Sequence, residues 1–297
     1  MNTSFVPTFR RRLVLGLLLS LFGGELRLAL GAGMPDARQA ALVERTWVWA
    51  LGLFVGMTLL LEVGRRLGNR RLARDPGGAR SGVGAIDGAV FALLGLLIAF
   101  TFSGAAARFD QRRQLIVEEA NIIGTAWLRL DLLPPPAQGP VRELFRAYVD
   151  ARLTTYRLLP DLAAARRELD RSLRLQQQIW AQTVAACESP EGRNKAMLLL
   201  PALNAMFDIV TKRSIALQTH PPLIIYQLLV VLALVNALLA GLGMAGGRDR
   251  SWIHFFGFPT VMTICVLVIL DLEYPRRGLI RIDTVDQLLV DVRRSME

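Results

Sequence analysis

The sequence predicts an all-α integral membrane protein in which four strong apolar helices, with a weaker one ahead of them, bracket an inserted, Arg-rich soluble helical domain. Three observations lead there. Of the 297 residues, 53% are hydrophobic, and mean hydropathy is +0.37. Charge-free runs lie between Asp87 and Arg108, over 222–247 and over 251–270. Each is near the ~20 residues that carry a helix across ~30 Å of hydrocarbon at 1.5 Å per residue. A fourth run, Thr46 to Leu61, continues past Glu62 with Val63 and Gly64. A soluble domain of this size would interrupt such runs, because its helices need a wet face. One run of sixteen also fits a buried core helix; four together do not.

Residues 1–45 form the weakest element. Arg10, Arg11 and Arg12 precede the apolar stretch Leu13–Gly24, and Glu25 and Arg27 separate it from a second apolar stretch that ends at Gly33. The basic start and the small residues Ala29, Gly31 and Ala32 resemble a signal peptide. The two charges favour an interfacial or weakly spanning helix, because they are costly at the bilayer centre. Residues 46–107 hold the first two strong helices. The first covers about 46–63, with Trp47 and Trp49 at the interface. A connector with six arginines between Arg65 and Arg80 comes next.

The second strong helix starts near Gly84 and runs on into the domain at 108–221, since nothing breaks it before Pro134. Beyond Arg108 its apolar positions are Phe109, Ile116, Ala120, Ile123, Trp127 and Leu130, a heptad-like seam. Three more helices are expected in the domain: about 141–159, a helix capped by Asp161, and about 192–218. The middle one carries Leu162, Ala165, Leu169, Leu173, Trp180 and Val184 along one face. Residues 222–272 form a membrane hairpin, about 223–245 and 252–271, because the Gly-Gly-Arg-Asp-Arg connector is short. The tail, 273–297, alternates polar and apolar residues and is expected to pack as a helix.

Charge and rare residues exclude several function classes. Net charge is +10, almost wholly from Arg, since Lys195 and Lys212 are the only lysines. In a soluble protein this balance would indicate nucleic acid. Here phospholipid head groups or the positive-inside bias explain it, and no nucleic-acid partner is expected. Cys187 and Cys265 form no disulfide framework, and no Cys/His spacing suggests zinc. Glu118, Glu119 and Asn121 read as a solvated or salt-bridged face, since the two carboxylates point about 100° apart on a helix. No catalytic residue, metal site or cofactor is expected.

The residues left to carry a function are small ones. Gly84, Gly88, Ala92, Gly95, Ala99, Ser103 and Ala106 mark one face of the second strong helix, and Ala233, Ala237, Gly241 and Ala245 mark the third. Without a hydrophobic drive inside lipid, helices associate by close packing, which small-xxx-small faces permit. Both stripes therefore fit ordinary bundle packing. The first also fits the central axis of a homo-oligomer, where Ala99, Phe100, Phe102 and Ser103 are pore-lining candidates and a hydrophobic constriction gates by dewetting. Asp87 reads as a helix-start carboxylate favoured by the dipole. Asn236 and Gln227 read as bonds between membrane helices. Asp271 and Glu273, at the last membrane exit, are suited to a cation, to arginines or to capping.

Two stretches resemble the bestrophins. In Phe100-x4-Ala105-x2-Arg108-Phe109-x3-Arg113-x-Leu115, a Phe of the second membrane helix precedes an Arg-aromatic pair by eight residues, as it does there. Asp271-Leu-Glu273-Tyr-Pro275-Arg-Arg-Gly278 is similar to the acidic-Pro-Phe-Gly stretch after the last bestrophin membrane helix, with the Phe replaced and a residue added before the Gly. Residues 84–297 look closer still to a bacterial bestrophin-like membrane family, on EEANIIGTAWLRLDLLP (118–134) and LDLEYPRRGLIRID (270–283). The resemblance implies four membrane helices, a helical domain between the second and third, and a pentameric, anion-conducting ion channel in the bacterial inner membrane. The step to channel function rests on analogy of fold. A non-conducting membrane scaffold or sensor, using the helical domain for interactions, is the alternative. Two indicators of orientation disagree. The dense arginine connector favours the cytoplasmic side, whereas the bestrophin layout puts the helical domain there, and the layout is preferred.

Overall fold

α1 (Thr46–Arg74) begins with the exposed Trp47 and Trp49 and continues well beyond the apolar run. The expected end near residue 63 is therefore too early. Glu62 accepts ion pairs from Arg65 (3.4 Å) and Arg66 (2.8 Å) one turn on, spacings at which a helix holds such pairs on one face. The computed structural model describes residues 46–74, 84–158, 161–189, 192–247, 251–275 and 279–297. The expectations for residues 1–45, including the weak N-terminal helix, lie outside them.

α2 (Gly84–Arg129) is one uninterrupted helix of 46 residues, about 70 Å long at 1.5 Å per residue. Residues 88–107 carry no charge; beyond them Ile116, Ala120 and Ile123 are buried and Trp127 partly so, along the expected seam. A 3-10 turn, Leu130–Leu132, ends the element.

α3 (Pro135–Arg157) starts six residues earlier than expected. A proline run reads as a break, but Pro135 and Pro136 occupy the first helical positions, where a backbone N–H has no partner to lose. α4 (Leu162–Cys187) is capped by Asp161, whose carboxylate accepts N–H bonds from Ala163 (3.1 Å) and Ala164 (3.0 Å). Its buried face overlaps the expected one in part, with Ala165 buried and Trp180 packed inward. Leu173 is exposed, while Ser172, Gln176, Ile179, Thr183 and Cys187 are buried. Gln176 Nε2 donates to the Tyr148 hydroxyl of α3 at 3.4 Å, so a polar contact turns α4 about one residue from the all-apolar face. α5 (Arg193–Gln218) returns along α2.

α6 (Leu223–Gly243) and α7 (Trp252–Glu273) complete, among the described residues, a set of four helices long and apolar enough to cross a membrane. α8 (Asp283–Arg294) packs on α2 and α3, burying Leu289. Arg293 grips Asp150 at 2.8 and 3.2 Å, and Arg146 donates to the Met296 carbonyl at 2.9 Å.

These elements build two hydrophobic cores. One joins Met57 and Leu61 of α1, Leu94 and Ala105 of α2, and the inner faces of α6 and α7. The other joins the polar half of α2 to α3, α4, α5 and α8 around Phe145, Tyr148 and Ile179. Fold class thus matches the sequence expectation: all-α, with membrane-length apolar helices.

The first core depends on the close approach of α1 and α6. A Cβ on Gly241 would lie 2.0 Å from the Leu61 carbonyl oxygen, and one on Gly64 2.1 Å from that of Leu238. Ala233, Ala237 and Ala245 line the same seam and are buried. Gly241→Ala is expected to destabilise the protein by about 1–3 kcal/mol through overpacking. Gly52→Ala, where a Cβ meets nothing within 4 Å, should leave stability unchanged or raise it. Thermal melting in detergent distinguishes them, and equal melting temperatures would refute the contact.

Candidate functional site

The apolar half of α2 differs from the other membrane-length helices in how little of it the chain covers. Only 6% of its most apolar stretch is buried, against 22% in α1 and 28% in both α6 and α7. Gly84, Gly88, Ala92, Gly95, Ala99 and Ser103 are all exposed, and a Cβ on Gly84, Gly88 or Gly95 would meet nothing within 4 Å. Ala106, at the end of the stripe, packs on the first core, but packing among the described residues does not explain the other six positions, although it does explain the stripe on α6. At about 100° per residue, Phe100 and Phe102 flank the Ala99–Ser103 line on opposite sides. Both are exposed, Phe100 at 68% and Phe102 at 45%. The Thr101 hydroxyl turns back onto the carbonyls of Leu97 (2.7 Å) and Ile98 (3.0 Å), which leaves Ser103 as the outward hydroxyl of this turn.

At the foot of the stripe a charged hub joins three helices. Glu273, the last residue of α7, has no exposed surface. It accepts from Arg108 Nε at 3.1 and 2.9 Å, from Arg112 at 3.3 Å, and faces His220 Nδ1 at 2.9 Å. The His220 ring stacks on Tyr274 at 4.8 Å between centroids. Gly104 leaves room for the Arg108 guanidinium, since a Cβ there would lie 3.2 Å from it. Arg112 is buried and also donates to the carbonyls of Ala216 (3.1 Å), Thr219 (3.0 Å) and Glu273 (2.7 Å). Helix ends leave carbonyls without intrahelical partners; one guanidinium supplies donors at the ends of α5 and α7. Asp271 accepts the backbone N–H groups of Leu279 (2.9 Å) and Ile280 (2.7 Å), and the Pro275 carbonyl accepts that of Ile282 (3.3 Å). Together they join the end of α7 to residues 279–282.

Comparison with known families gives a match to the bestrophin-like domain over residues 50–286. The chain belongs to the bestrophin-like domain family. Crystal structures of point variants of a bacterial bestrophin homolog from Klebsiella pneumoniae share the fold. One has a TM-score of 0.59 at 15% identity, covering 80% of this chain and 98% of that one. Another has a TM-score of 0.61 at 15% identity, covering 82% and 98%. A crystal structure of a membrane protein variant gives 0.55 at 16% identity, covering 81% and 98%. A search of curated proteins gives no match.

Of the motif residues in this bestrophin-like chain, Arg108 and Glu273 meet in the hub. Asp271 and Pro275 shape the exit turn, and Gly278 lies outside the described residues. Phe109 is partly buried against the first core. Arg113 is half-exposed, 3.6 Å from Asp110 and over the Phe109 ring at 5.9 Å. Arg112 is the arginine that the motif does not mark. Its signal is the i, i+4 spacing from Arg108, which puts both on one helix face and turns Arg113 away.

A second charged group lies further along α2. Glu119 is fully buried, bonded to Arg152 at 2.8 Å, to Arg213 and to the Tyr156 hydroxyl at 3.1 Å; Asp286 of α8 lies 3.8 Å from Arg213. Its neighbour Glu118 is exposed beside Lys212 at 3.2 Å. Glu119 lies three residues after Ile116 and four before Ile123, so the seam itself marks it as inward-facing. Burial alone would raise its carboxyl, but Arg152 and Arg213 overcome that and hold it at about 2. Burial pushes the Tyr156 phenol up to about 12, against the pull of both arginines. Among the described residues, no group of His, Cys, Asp or Glu is placed to hold a metal ion.

Removing one partner of a buried ion pair strands the other charge, at about 3–5 kcal/mol. Glu119→Gln is therefore expected to lower the melting temperature sharply. Because its folded pKa lies below the ordinary 4.5, Glu119 contributes full stability above about pH 4.5. That contribution is lost as pH falls toward 2. A wild-type acid-melting curve without the loss, or one shared by Glu119→Gln, would contradict the pairing. Glu273→Gln should destabilise comparably while Arg113→Gln leaves melting unchanged; the reverse order would overturn the hub.

Proposed function

We propose that this chain is the subunit of a homo-oligomeric, bestrophin-like ion channel in the bacterial inner membrane, with its helical domain in the cytoplasm. The observation that carries the reading is the bare apolar face of α2. A lipid-facing helix has no need of an exposed glycine stripe, whereas a subunit interface or a narrow axial path does. Five copies around one axis follow from the bestrophin resemblance. Ala99 and Ser103 then face the ion path, and Phe100 and Phe102 form the apolar wall that narrows it.

Preference for anions follows from the bestrophin resemblance. At about 100° per residue Arg108 and Arg112 lie about 180° and 220° around α2 from Ala99, on the face that meets Glu273 and not on the stripe. Nothing in the hub pairs a nucleophile with a base, and enzymatic chemistry is not part of the reading.

Reconstitution in planar bilayers tests it. Ser103→Trp is expected to reduce conductance, and Ser103→Lys to raise anion over cation permeability. Oligomer size is measured alongside, because a bulky residue on a close-packed stripe can break a helix contact. Normally assembled variants with unchanged conductance and selectivity would sink the pore assignment. A wild-type ring that passes no ions under varied voltage and pH would favour the scaffold or sensor.

A further inference from the structure

We propose that the outer face of α1 seats an anionic phospholipid, its acyl chain along Val55, Leu59, Val63 and Leu67 and its phosphate at Arg70, Arg71 and Arg74. The four apolar residues recur every fourth position and are all exposed, at 44%, 62%, 40% and 46%. This spacing keeps them on one side of the helix. From Val55 to Leu67 the helix rises about 18 Å, close to the ~15 Å depth of one hydrocarbon leaflet. Arg70 and Arg74 continue the same column at spacings of three and four.

The level of the membrane surface is fixed beside them. α6 ends at Gly243, and the turn after it reaches Gly246, whose positive φ of 84° suits glycine. The Gly246 N–H donates to Asn69 Oδ1 at 2.8 Å, fastening that turn to α1. Irregular backbone facing lipid is not tolerated within hydrocarbon, so the hydrocarbon ends at or before the level of Asn69. Five further helical residues carry the three arginines about 7 Å onward, the depth of one head-group layer.

Charge at this end is one-sided. Residues 64–83 contain six arginines and one acidic residue, Asp75. Arg65 and Arg66 turn back to Glu62. Arg70, Arg71 and Arg74 are exposed and have no acidic partner among the described residues. An apolar column one leaflet long under three free guanidinium groups is complementary to a lipid with a negative head group. It is poorly suited to a second copy of itself, which would oppose arginine to arginine.

The test is native mass spectrometry of the full-length protein in detergent, titrated separately with phosphatidylglycerol and phosphatidylcholine. Wild-type protein is expected to bind phosphatidylglycerol at least about tenfold more tightly, as three arginines at a membrane surface allow. R70Q/R71Q/R74Q should abolish the preference and R70K/R71K/R74K should keep most of it. R157Q/R167Q/R174Q, an equal charge change on exposed positions of α3 and α4, should leave it intact. Raising salt from about 50 to 500 mM should also erase the wild-type preference, a measurement that needs no variant to fold. Wild-type protein without a preference, a salt-insensitive one, or a glutamine triple variant that retains it would overturn the proposal. So would a glutamine variant of changed oligomer size, because the face would then belong to a subunit contact.

Discussion

A carboxylate with no exposed surface is tolerated only where its charge is matched and its oxygens accept hydrogen bonds. Glu273 imposes that condition on this fold. It must be reached by Arg108 and Arg112, so the last turn of α7 has to lie beside the middle of α2. Arg112 in turn reaches the carbonyls that end α5 and α7. The positions at which the chain re-enters and leaves its apolar core are set together by one ion-paired residue. His220 and Tyr274, stacked over the hub, close it from the side of the α5–α6 link.

Small residues serve two opposite purposes in the same core. On α6 and α1 they let two backbones approach so closely that Gly241 and Gly64 have no room for a methyl group. On α2 the same residue types stand in open space. What distinguishes the stripes is the element opposite each: α6 packs along α1, whereas the outer face of α2 meets little among the described residues. A glycine stripe is costly in backbone entropy when it packs against nothing.

Much of this architecture is legible because lipid simplifies the code. Long charge-free runs have few explanations, and they locate α2, α6 and α7 to within a few residues. Where alternatives multiply, the sequence misleads. The arginines after Glu62 look like a loop because they are polar, yet they extend α1, since nothing in Arg-rich sequence opposes a helix. The proline run looks like a break because proline usually is one, but at the first positions of a helix its missing donor costs nothing. On α4 the all-apolar face competes with the true one because Gln176 and Ser172 satisfy themselves in the interior through Tyr148 and the Leu169 carbonyl. In the charged hub Arg108 and Glu273 stand out as motif residues, but their pairing spans 165 positions, and no local periodicity reports it.

The continuity of α2 joins these parts mechanically. Ser103, Arg112 and Glu119 sit on one unbroken helix, separated by nine and seven residues, and their spacing is fixed by a rise of 1.5 Å per residue. No proline or irregular turn interrupts the helix between them, and sharp kinks need such a cause. The two charged groups grip this rod differently. At Arg112 and Arg108 it is tied to the ends of α5 and α7, with positive charge in excess. At Glu119 it is tied to Arg152 of α3 and Arg213 of α5, with Asp286 of α8 drawing the tail into the same group. Arg213 and the Ala216 and Thr219 carbonyls lie within two turns of one another on α5 and its cap, so both grips share that helix.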